Sequence, residues 1–216
     1  NFIFKLFFSS FFILILINGT NFLDGVNTLV IGYYLLIFFF ISKIHYDLIS
    51  YIDLNFLYLI IFTFLILFVL NCFNLLLLGD NGSYLISIFA GIYLIDLANK
   101  NILLSPYFIM NLLWYPAYET LFSIIRKNIM KKSPMRPDSN HLHQQIFYNL
   151  NRINTFNKYH ANLLSANLIN SYNLIIFIVS VNFFSNSQIQ VLLILLNISL
   201  YTFIYFKLFI LRYKKL

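Results

Sequence analysis

Seven runs of almost purely apolar residues follow one another along the chain, at about 2–17, 28–42, 54–71, 83–97, 102–125, 163–184 and 191–210. A helix needs roughly 20 apolar residues to cross a bilayer, so several of these runs must borrow flanking residues or tilt little. None shows the sustained polar–apolar alternation of a β-barrel strand. The chain is 61% hydrophobic and only 10% charged over 216 residues. A soluble domain of that size has too little interior to hide so much apolar surface. The pattern predicts an all-α fold: a polytopic transmembrane helix bundle of about seven spanning helices, forming a single integral membrane domain over residues 1–216. Asn1 opens directly into an apolar run, which predicts a fragment lacking its N-terminal helices. The run at 2–17 has neither a basic n-region nor a small-residue cleavage site, and so reads as a span rather than a signal peptide.

Strict alternation of seven spans places connections 18–27, 77–82 and 126–162 and the tail 212–216 on one side. That side holds Arg126, Lys127, Lys131, Lys132, Arg136, Arg152, Lys158, Arg212, Lys214 and Lys215, against Lys43 and Lys100 on the other. The positive-inside rule makes the first side cytoplasmic. Trp114 and Tyr115 can serve there as interface anchors or as packing residues. Cys72 is the only cysteine, so no disulfide forms within the chain.

Three polar stretches fall on that cytoplasmic side. In 18–29, Asn18, Asn21, Asp24 and Asn27 recur every three residues, so their oxygens can face one cation or a sugar–phosphate. The alternative is a simple turn, with Asp24-Gly25 reversing the chain and Asn27 or Thr28 as a cap. In 75–83, Asp80 follows an apolar run with no Lys or Arg within a helical turn, and Ser83 is placed to cap the next helix. A carboxylate at that depth needs a partner, which makes Asp80 a candidate Mg²⁺ ligand or, more simply, part of an interfacial Asp-Asn-Gly turn. The stretch 126–145 crowds five cations, an acid and two histidines between apolar runs. It forms the core of a predicted substrate-binding loop at 126–162, with Pro134 and Pro137 keeping its middle out of regular helix. Its Lys and Arg suit phosphates, and His141 and His143 can orient phosphate oxygens or move a proton. Lipid headgroups would also attract these cations, and a zinc site of His141, His143 and Asp138 is a further alternative. Glu119 stands in an apolar helix without a neighbouring cation, whereas Asp96 reads as merely interfacial.

Together these stretches resemble the polyprenyl-phosphate N-acetylhexosamine-1-phosphate transferases, the MraY/WecA-type family of bacterial membrane enzymes. Residues 18–29 resemble the motif N-x-x-N-x-x-D-G-x-D-G-L, and Gly79-Asp80-Asn81-Gly82-Ser83 matches G-D-x-G-S. Pro116-Ala-Tyr-Glu119-Thr120 followed by Arg126 is similar to P-x-x-D-T with its Arg, and 137–144 resemble P-D-x-x-H-x-H-H. The four motifs stand in order within residues 1–150.

The resemblance implies Mg²⁺-dependent transfer of a sugar 1-phosphate from a UDP-sugar to polyprenyl phosphate, releasing UMP. It implies a multi-pass protein of the bacterial inner membrane with a cytoplasmic site, no nucleic-acid partner, and a state compatible with a homodimer. Asp80 and Asn21 would be metal ligands, and Asp24, His141 and His143 catalytic residues. Asn18, Asn27, Arg126, Lys132 and Arg136 would bind substrate. The sequence departs from the pattern at Asn27-Thr28, where the family has a second Asp-Gly, at Gln144 in place of His, and at Glu119 in place of Asp. It also contains no Asp-Asp pair, which predicts that the fragment alone is inactive. His-Leu-His-Gln leans towards the N-acetylhexosamine branch. A transporter, or a non-catalytic relic of the enzyme, is the rival class.

Overall fold

A computed structural model describes residues 2–48, 54–131, 133, 138–152 and 156–213. Among them the backbone forms nine α-helices and no strand: α1 (Phe2–Leu23), α2 (Leu29–Leu48), α3 (Leu54–Cys72), α4 (Gly79–Lys100), α5 (Pro106–Leu112), α6 (Trp114–Ile129), α7 (Leu142–Arg152), α8 (Lys158–Asn182) and α9 (Ser187–Tyr213). Five are long and apolar enough to cross a membrane: Ile3–Leu23, Leu54–Cys72, Gly79–Lys100, Lys158–Asn182 and Ser187–Tyr213. The chain is therefore a multi-pass helical membrane protein. Phe4, Phe7, Leu85 and Phe203 stand exposed on these helices, a distribution that water penalises and hydrocarbon does not.

Five such helices stand where the apolar runs suggest seven, because two runs are built differently. The second yields a shorter apolar helix, Leu29–Ile44. The fifth is divided into α5 and α6 by Leu113. Pro116 causes the break: it has no N–H to offer the carbonyl four residues back, at Leu112. That carbonyl is instead satisfied from another helix, by the Tyr33 hydroxyl at 2.7 Å. At the front of α5, Pro106 occupies the first turn and the Ser105 side chain accepts from the Tyr107 N–H.

Other boundaries also shift. α1 continues through Asn18 and Asn21 to Leu23, so the first polar stretch begins as its last turn. α4 starts at Gly79, whose φ of +64° suits glycine. Ser83 thus lies inside the helix, and its hydroxyl donates to the Asp80 carbonyl rather than capping. The stretch 126–162 is not all loop, since α6 runs on to Ile129 and α7 follows.

α1 packs against α4 and α6, α2 against α3 and α8, and α7 lies across α8 and α9. Tyr33, Tyr34, Phe38, Phe108, Tyr115 and Phe177 are fully buried at the centre. Trp114 belongs to this interior and not to an interface: its indole N–H donates to Asn173 Oδ1 at 2.8 Å. The packing of α1 on α4 and α6 brings the end of α1, the start of α4 and the end of α6 to one end of the bundle.

Candidate functional site

Two carboxylates meet where α1 ends and α4 begins. Asp24 sits in the turn after α1, its N–H on the Asn21 carbonyl at 3.1 Å. Asp80 lies exposed in the first turn of α4, where unsatisfied N–H groups favour negative charge. Burial raises the Asp24 carboxyl above the usual carboxylate range, the Asp80 charge raises it further, and the nearby Gly79 N–H partly offsets both. Among the described residues neither acid takes part in an ion pair. Asn21, one turn before Asp24, donates from Nδ2 to the Tyr84 hydroxyl at 2.8 Å, which leaves its amide oxygen uncommitted.

The two histidines lie beside this turn and differ in kind. His141 Nδ1 is 2.8 Å from Glu119 Oε1, and the Tyr201 hydroxyl donates to Oε2 of the same carboxylate at 2.7 Å. Phe22 stacks on the His141 ring at 4.9 Å. His143 is stacked parallel to His141, with ring centroids 5.8 Å apart. It is fully buried, and neither ring nitrogen has a hydrogen-bond partner. Its Nε2 lies so close to Gly25 that a β-carbon there would stand 2.2 Å from it. Glycine at position 25 is what admits the ring. Burial pushes the His143 imidazole down to about 3, with His141 adding to the effect and Glu119 opposing it, so the ring is neutral at pH 7. A buried neutral imidazole with two unused nitrogens is a poised hydrogen-bonding or ligating group.

Arg126 holds the loop in place. Its guanidinium pairs with Asp138 and donates to the Asn140 carbonyl at 2.7 Å and the Tyr205 hydroxyl at 2.8 Å. Burial alone would raise the Asp138 carboxyl, but the charges of Arg126 and His141 and the Asn140 N–H hold it below the usual range. With Arg126 so engaged, its donors act on the chain itself. Arg212 adds a second tie, to Asn140 Oδ1 at 3.1 Å.

Asp24, Asp80, Asn21, His141 and His143 are thus gathered at one end, with Glu119 behind His141. Asn18 is exposed on α1 and donates to the Leu14 carbonyl at 2.8 Å. Asn27 is used structurally: its amide donates to the Asn71 carbonyl and to Asn74, and its N–H to Asn162 Oδ1. Asn71 also accepts the Thr28 N–H at 2.5 Å, fixing a residue of φ +67°. Lys132 and Arg136 lie outside the described residues, as do Pro134 and Pro137. Sequence reasoning missed Phe22 and Tyr201; Lys127, one of the cations of the basic stretch, has its ammonium 5.9 Å over the Phe22 ring. Only Tyr201 left a trace, as one of two tyrosines spaced i, i+4 with Tyr205 on α9.

Among the described residues no three His, Cys, Asp or Glu side chains come together as a metal-holding group. The zinc alternative loses its set, since Asp138 is tied to Arg126 and His141 to Glu119. Mg²⁺ asks less of the protein: it keeps several waters and is commonly held by one or two carboxylates. An Asp24 carboxyl raised in part by the neighbouring Asp80 charge, with an amide oxygen one turn away, fits a hydrated Mg²⁺. Comparison of the chain with protein-family models, with curated proteins and with solved structures found no match.

Proposed function

We propose that this chain belongs to an enzyme of the MraY/WecA type, which transfers N-acetylhexosamine 1-phosphate from a UDP-sugar to polyprenyl phosphate and releases UMP. One observation carries the reading. Three polar stretches far apart in sequence are gathered at one end of a membrane bundle, with an unpaired acid pair beside an unpartnered buried histidine. α2 and the α5–α6 pair would complete seven crossings, and the positive-inside rule would then put this end on the cation-rich cytoplasmic side of a bacterial inner membrane.

In this reading Asp80, Asp24 and the Asn21 oxygen would hold Mg²⁺, which supplies charge neutralisation for a diphosphate. The chain's own groups do the rest. Glu119 and Tyr201 lock His141 in one orientation, and the parallel stack then fixes His143. The neutral His143 ring offers a hydrogen bond to a phosphate oxygen beside Asp24. Arg126, by clasping Asp138 and Asn140, holds the loop over the acid pair. Lys132, Arg136 and Asn18 would contact the nucleotide sugar, whereas Asn27 shapes the turn. Glycan initiation on a lipid carrier is the cellular role that follows.

Nucleotide binding by the purified chain in detergent tests this without requiring turnover. UDP should raise the melting temperature only when Mg²⁺ is present, and Asp80→Ala should remove that shift while leaving the unliganded melt in place. A shift independent of Mg²⁺, or one retained by Asp80→Ala, refutes the assignment.

A further inference from the structure

α7 roofs a cavity of about 640 Å³ that lies between it, α8, α9 and the start of α6. This is within the usual range of roughly 300–1,000 Å³ for ligand sites. Ile146, Ile169, Leu200, Ile204 and Leu208 supply apolar wall. Most polar side chains on the wall are already engaged elsewhere: Trp114 with Asn173, Tyr172 with Asn197, Tyr201 with Glu119 and Asn149 with the Gln145 carbonyl. The space therefore offers water few partners. Leu168, Leu200 and Ile204 are exposed, so the cavity opens sideways onto the faces that α8 and α9 turn to lipid.

Arg152, the last residue of α7, stands at the rim. One of its nitrogens lies 3.4 Å from the Leu211 carbonyl, and among the described residues it has no ion-pair partner. A forked cation over an apolar, laterally open cavity matches an amphiphile with a phosphate head. Tyr201 on the cavity wall and Phe22 beside Asp24 flank the Glu119–His141 pair, which separates the cavity from the acid pair.

We propose that this cavity seats one hydrocarbon chain of an anionic membrane phospholipid, whose phosphate rests on Arg152. The bound chain completes the packing under α7 and holds that helix at the membrane surface. This inference does not depend on the transfer reaction.

Photolabelling of the chain reconstituted with diazirine-bearing phosphatidylglycerol, mapped by mass spectrometry, tests it. Labels should concentrate on Leu168, Ile169 and Ile204. Ile204→Trp and, independently, Leu200→Trp should each lower that labelling several-fold and leave labelling of Phe62 and Ile66 on α3 unchanged. Arg152→Gln should lower labelling by phosphatidylglycerol and not by phosphatidylcholine. Even labelling of all lipid-facing helices, or labelling indifferent to both tryptophans, overturns the proposal. Protection by polyprenyl phosphate but not by unlabelled phosphatidylglycerol overturns the phospholipid occupant and makes the cavity a seat for an isoprenoid chain.

Discussion

Glu119 joins α6, the histidine loop and α9 through two hydrogen bonds to a single carboxylate with no exposed surface. Glu119→Ala removes both bonds at once and strands the Tyr201 hydroxyl and His141 Nδ1 in the interior. Removing a buried carboxylate from the partners that hold it costs about 3–5 kcal/mol. Glu119→Gln keeps the shape and one acceptor, yet sets an NH₂ against one of the two donors, for about 1–3 kcal/mol. A chain of this size loses about 2–4 °C of melting temperature per kcal/mol. Glu119→Ala should therefore melt roughly 6–20 °C lower, with Glu119→Gln between it and the parent. Trp114 is the only tryptophan, and its ring lies 6.4 Å from that of Tyr201, so its fluorescence reports on this junction directly. Tyr201→Phe completes a double-mutant cycle: added to Glu119→Ala it should cost little more, because the Tyr201–Glu119 bond is already gone. Strictly additive losses, or an unchanged melt for Glu119→Ala, would refute the view that this carboxylate ties the loop to the bundle.

Burial holds His143 neutral with its pKa at about 3, so between pH 6.5 and 3 the unfolded chain binds the proton the folded chain refuses. Stability from this site is complete above pH 6.5 and is lost as pH falls towards 3, up to roughly 5 kcal/mol at about 1.4 kcal/mol per pH unit. His143→Gln should flatten the melting profile across that window, and an unaltered slope would count against it. Tyr33→Phe leaves the Leu112 carbonyl without its donor beside Pro116 and should cost about 1–3 kcal/mol, read in the same Trp114 melt; no loss would mean that carbonyl finds another partner. Gly25→Ala places a methyl against His143 and should destabilise, with His143→Ala restoring much of the loss in the double variant. Failure of that rescue would place the strain elsewhere.

Much of the fold was legible because hydrophobicity is additive along a chain. The long apolar helices, the absence of strands among the described residues and the clustering of cations all follow from local composition. The division of the fifth run was less visible, although Pro116 stood in plain sight. Whether a proline kinks a helix or ends it depends on what satisfies the freed carbonyl, and Tyr33 comes from another helix. Asp24, Asp80 and the histidines stood out as candidates through residue type and setting alone. Their roles did not. A repeat of asparagines every three residues reads as one ligand face, yet Asn21 flanks the acid pair while Asn27 is consumed in fixing Thr28, because the helix ends between them. Arg126 reads as a phosphate grip, and tertiary packing makes it a clasp for Asp138 and Asn140. By itself the sequence determined the membrane class and the inventory of reactive groups, since both rest on side-chain chemistry that a residue brings wherever it lies. Only the tertiary structure decided which groups face one another: that His141 spends its nitrogen on Glu119 while His143, two residues on, keeps both of its own against Gly25. Partnership in a buried, low-dielectric interior is set by contacts between distant segments.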